Sequence, residues 1–80
     1  MSAMFEVLYK SPPDAGRETV ISEWAGRFGG QLTCREEPDL VGVGPVTLTF
    51  EFSDLVVAGQ AANALRSHGE HVEGPASYGD

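Results

Sequence analysis

The sequence predicts a single α+β domain, an antiparallel four-stranded sheet with two helices on one face. Three observations predict it. Val46, Leu48, Phe50 and Phe52 are apolar and alternate with Thr47, Thr49 and Glu51. Strand side chains point to opposite faces with period two, so this segment has one dry face and one wet face. A sheet wetted on one face is as a rule antiparallel. Elsewhere, two stretches carry apolar residues at helical spacing, each between a capping acid and a glycine. Proline and glycine clusters then divide the chain into strand, helix, strand, strand, helix, strand.

Residues 4–10 form the first strand, with Phe5, Val7 and Tyr9 on one face and Glu6, Leu8 and Lys10 on the other. Ser11-Pro12-Pro13 ends it, because proline cannot donate to a ladder. Asp14 caps the next helix, with Gly16 as the alternative start; Val20, Ile21, Trp24, Ala25 and Phe28 form its apolar stripe. Trp24 is expected against the sheet. Gly29-Gly30 ends the helix in the left-handed conformation that glycine accepts. Residues 31–37 form the second strand, where Leu32 and Cys34 are expected on the dry face and Thr33 and Arg35 on the wet one. A loop over residues 39–45 follows, unusually apolar at Leu40, Val41 and Val43. These three are expected to fold back onto the core edge; a docking surface for another chain is the alternative. After the third strand, Ser53 or Asp54 caps a second helix that buries Val57 or Ala58, then Ala61, Ala62 and Leu65, and stops at Gly69. Residues 70–73 form a short last strand, ended by Gly74-Pro75, and residues 76–80 read as a tail.

The 80 residues are enough for one domain, 1–80, of marginal stability. Hydrophobic residues at 41% make the chain too apolar to be disordered. Its net charge of −7 would repel a phosphate backbone or an anionic bilayer, so neither nucleic acid nor membrane is an expected partner. A single cysteine, Cys34, excludes an intrachain disulfide and points to a reducing, cytoplasmic compartment. Met1 to Met4 show no basic or apolar leader pattern.

Right-handed crossovers and short connections leave few topologies for this element order. The split βαβ plait, with spatial strand order 4-1-3-2, fits it. Over its whole length the chain resembles the ferredoxin-like superfold, a frame that hosts many functions. RNA-recognition motifs of that superfold need aromatics on the open face, where this chain has Glu6, Leu8, Lys10, Thr47, Thr49 and Glu51. Heavy-metal-binding domains need Cys-x-x-Cys after the first strand, where Ser11-Pro12-Pro13-Asp14 stands. Asp14-Ala15-Gly16 is similar to the turn of ACT ligand-binding domains. That resemblance implies a regulatory small-ligand role, with a pocket between residues 12–16 and a neighbouring subunit.

The wet face is the main candidate for function. Pairing Phe5 with Phe52 would set Glu6 opposite Glu51, Leu8 opposite Thr49 and Lys10 opposite Thr47. Glu73 would join the acidic end; Arg35 would join Lys10 at the basic end. Such a face can be merely solvated. It can also pair with a second copy about a two-fold axis, acidic end on basic end around Leu8, or use its three carboxylates for a cation or acid chemistry. No catalytic residue, cofactor or metal is assigned. His68 and His71 straddle a helix end and a strand start, and the wet-facing His71 is three strand spacings, ~14 Å, from a dry-facing Cys34. The leading expectation is a non-enzymatic interaction module, acting as a homodimer or docking to another protein. An ACT-like regulatory domain is the alternative, and a small enzyme the third.

Overall fold

A computed structural model of the protein describes residues 2–40 and 42–78. The chain runs β1 (Ser2–Lys10), α1 (Ala15–Arg27), β2 (Gln31–Glu36), β3 (Pro45–Phe52), α2 (Leu55–Ser67) and β4 (His71–Tyr78). The strands form one antiparallel sheet of order β2-β3-β1-β4, the expected order 4-1-3-2 read from the other edge.

The helix ends form where the capping chemistry places them. Asp14 adopts extended backbone and its carboxylate accepts from the Arg17 N–H at 3.0 Å. Of the two candidates before α2, Asp54 is the cap, accepting from the Val56 N–H at 2.7 Å. Gly29 and Gly69 take φ of 82° and 88°, which lets Gly30 N–H reach the Ala25 carbonyl and Glu70 N–H reach the Leu65 carbonyl.

One core joins the sheet to both helices. Ala3, Phe5, Val7, Tyr9, Val46, Leu48, Phe50, Phe52 and Val72 meet Ile21, Ala25, Ala58, Ala61, Ala62 and Leu65, all buried. The three alanines let the α2 backbone approach the sheet closely. Two members of the expected α1 stripe lie elsewhere. Val20 is half exposed, and Trp24 is only partly buried, packed on the core's rim. The Arg27 guanidinium lies 4.4 Å from the centre of the Trp24 ring, and the His68 ring packs tilted against it at 4.3 Å. The position of Trp24, ~60° round the helix from Ile21 and ~100° from Ala25, turns it toward α2 rather than the sheet. Trp24→Ala is therefore expected to cost roughly 1–2 kcal/mol, well below the loss for a fully buried aromatic. A thermal melt showing a folded variant with a modestly lowered Tm is the check.

The last strand is longer than its sequence suggested. It continues through Gly74 and Pro75 to Tyr78 by means of a bulge opposite Phe5, between the Met4–Ala76 and Glu6–Glu73 pairs. Residues 76–78 are thus strand and not tail; residues 79 and 80 lie outside the described residues. Arg66 of α2 secures this segment by donating to the carbonyls of Val72 and Gly74 at 2.9 and 2.8 Å.

Candidate functional site

The helices leave one sheet face uncovered. Its residues are set by the pairing, since cross-strand partners share a face. Cys34, Thr49, Glu6 and Glu73 form the central row; Glu36, Thr47, Leu8 and His71 form the row toward the Lys10 end. Gln31, Glu51, Met4 and Ala76 form the row on the other side, and Ser2 pairs with Tyr78 beyond it.

This arrangement corrects the expected face in three respects. The β1–β3 register is Phe5–Phe50 and Ala3–Phe52, so Glu6 opposes Thr49, Leu8 opposes Thr47, and Glu51 opposes Met4. The shift by two residues keeps every side chain on its expected face and moves Glu51 one row from Glu6. The second correction is larger. A bulge between Leu32 and Cys34 inserts one extra residue in β2, and a one-residue shift exchanges faces. Cys34 pairs with Thr49 and is exposed on the open face, not buried. Arg35 pairs with the core residue Leu48, stands on the helix side, and leaves the open face. Third, Glu36 takes the place that Arg35 was to hold, opposite Thr47. Glu73, expected at the same end of the face as Glu6, pairs with it directly.

Arg35 instead completes a polar network above the core. Its guanidinium donates to both Glu18 carboxylate oxygens at 2.6 and 2.9 Å, and it also bonds Glu37. The Tyr9 hydroxyl donates to Glu18 and accepts from the Asp14 N–H at 2.9 Å. Arg35 is the chief cause that holds the Glu18 carboxyl below its ordinary range, with Tyr9 adding to it. Burial, then the Glu18 contact, pushes the Tyr9 phenol up. A depressed carboxyl pKa contributes stability that is present above the ordinary value of 4.5 and is lost as pH falls through the folded value. Glu18→Gln should thus melt below the parent at pH 7, and the gap should close on acidification below about 4.5, the ordinary carboxyl value. Paired thermal melts over that pH range are the check. Arg17 likewise binds Glu70 by two nitrogens, at 2.9 and 3.2 Å, and lies over the Tyr9 ring.

The loop expected to fold back does not. Leu40 is 69% exposed and Val43 62%. Val41 lies outside the described residues. The Ser11 hydroxyl, itself buried, ties this loop to the end of β1: it accepts from the Gly42 N–H at 2.8 Å and donates to the Gly44 carbonyl at 3.2 Å. The loop is thereby held at the Lys10 end of the open face. Leu8, Tyr9, Lys10, Gly42, Gly44 and Pro45 line a shallow open cavity there, of about 330 Å³. The face and the loop, separate candidates in the sequence, form one continuous surface.

The remaining candidates are dispersed. His68 packs tilted against Trp24, with its Nδ1 3.0 Å from the Ala64 carbonyl, whereas His71 lies on the open face 3.3 Å from Glu73. Cys34 and His71 now share a face but stay on opposite edge strands. Asp14 of the ACT-like turn spends its carboxylate on the helix cap. Among the described residues no group of three or more His, Cys, Asp or Glu is placed to hold a metal ion. No helix among them is long and apolar enough to cross a membrane. Glu36, Met4, Ala76 and Tyr78 are face residues that the sequence did not single out. The even-numbered alternation of β1 pointed to Met4; nothing local signalled the bulges that place the other three. No family model matches the chain, and no curated protein or solved structure is significantly similar to it.

Proposed function

We propose that the protein is a non-enzymatic docking module on a ferredoxin-like plait, and that its open sheet face binds another protein. One observation carries this most directly. Met4 and Leu8, only partly exposed, stand on the open face of the central strand β1 on either side of Glu6, with Glu36, Glu51 and Glu73 around them. A one-sided sheet ordinarily turns a polar surface to water. Two apolar side chains set among carboxylates offer a partner both apolar contact and charge to pair with. The carboxylates are spread along a flat face rather than converging in a concave site, which favours docking over acid chemistry.

A different protein suits this face better than a second copy. Self-pairing needed Arg35 at the basic end, and Arg35 is committed to Glu18 on the helix side. Two copies face to face would set four glutamates against four, with only Lys10 on each side to offset them. A photo-crosslinking residue at Thr47, in the protein expressed in its own cells, is the test. A discrete heterologous adduct from Thr47, with none from Asn63 on the outer side of α2, is expected. Adducts from Asn63 alone, or from neither position, would overturn the proposal.

A further inference from the structure

The open face is short of cations because the chain's bases are used elsewhere. Of its five, Arg17 pairs with Glu70, Arg35 with Glu18 and Glu37, Arg66 with backbone carbonyls of β4, and Arg27 lies over Trp24. Only Lys10 reaches the open face. The acids divide the opposite way. Glu18, Glu37 and Glu70 each hold an arginine, while among the described residues Glu6, Glu36 and Glu51 have no ion-pair partner and Glu73 has only His71. Glu6 and Glu73 even stand directly opposite each other, an unfavourable cross-strand pair in the free protein. A cation brought from outside would relieve that repulsion.

The dimensions select the shape of what brings it. Met4 and Leu8 are four residues apart on one strand, ~13 Å. Positions i and i+8 of a helix are ~12 Å apart, so two apolar side chains of one helix face match them. Glu73 on β4, one strand spacing from β1, and Glu36 on β2, two spacings away on the other side and one row further along, leave a carboxylate on each side of a helix laid along β1. Glu6 lies midway between Met4 and Leu8, under the centre of such a helix, where position i+4 would fall. Resting on the docking function proposed above, we infer that the partner element is a basic amphipathic helix laid along β1. It carries an apolar residue at i and i+8, a lysine or arginine at i+4, and further bases on both flanks. The exposed loop bearing Leu40 and Val43 closes the Lys10 end of its berth.

The test uses the purified protein and a synthetic 18-residue peptide built to that pattern, with leucine at i and i+8 and lysine at i+4 and on the flanks. A control peptide has the same composition in scrambled order. Amide shifts in a nitrogen-15 NMR titration locate and measure binding. The designed peptide should perturb Leu8, Thr47, Thr49 and Ala76, and the scrambled one should bind at least tenfold more weakly. Glu6→Gln with Glu73→Gln should weaken the designed peptide about tenfold. That variant removes a repulsive pair, so it should keep the parent's spectrum. Equal binding by both peptides would reduce the attraction to bulk charge and overturn the inference. Perturbation centred on α1, or no binding, would overturn it too. A Thr47 adduct in cells alongside such a failure would leave the docking function standing and exclude only the helical occupant.

Discussion

Phe5→Ala is expected to leave the chain unfolded at ambient temperature. Phe5 sits at the middle of the central strand, 1% exposed. Its ring lies 5.9 Å from that of Phe50 and 5.0 Å from that of Phe52, so it joins the two central strands on the core side. Truncating a fully buried phenylalanine costs ~3–5 kcal/mol in lost transfer energy and cavity. A domain of this size holds no more than ~3–5 kcal/mol in total. The two quantities are equal in scale, so the native state should lose its majority. Far-UV circular dichroism at 25 °C is the measurement. A cooperative melt within a few degrees of the parent would show that the core does not centre on Phe5.

Gly74→Ala is expected to have the next largest effect, about 1–3 kcal/mol of destabilisation. Gly74 has φ of 106°, a region L-residues avoid. A Cβ there would lie 3.2 Å from both the Met4 carbonyl oxygen and the Phe5 Cβ, neither of which can yield without moving the central strand. The bulge that carries β4 on to Tyr78 thus depends on this glycine. Gly59→Ala is the control. Gly59 lies inside α2 with nothing within 4 Å of its would-be Cβ, so alanine should stabilise by up to ~1 kcal/mol through helix propensity. Opposite shifts of Tm are predicted. A Gly74→Ala protein as stable as the parent would contradict the bulge.

The architecture was legible because local signals agreed with one another. Asp14 and Asp54 cap, Gly29 and Gly69 stop the helices, and the alternation of β1 and β3 faces their odd and even residues correctly. The open face was legible only in part. A register shift by two residues leaves every side chain on its own face, so the hydrophobic pattern cannot distinguish Phe5–Phe52 from Phe5–Phe50. The bulge in β2 was hidden for a different reason. This edge strand is exposed along its whole length, so no buried pattern records which residue is the extra one. That single residue decides whether Arg35 or Glu36 looks onto the open face, and hence the charge of the proposed interface. In β4, Gly74-Pro75 reads as a stop signal, yet an edge strand accommodates both at a bulge.

A face kept free by its own charge, for a partner of opposite charge, is the central claim. Equilibrium sedimentation of the purified protein at neutral pH and low salt tests it most directly. A monomer of 8.5 kDa is expected across the accessible concentrations, because two acidic faces repel each other most when salt is low. A species of twice that mass that reverts to monomer on Leu8→Asp would contradict it, since the open face would then be covered by a second copy of the chain.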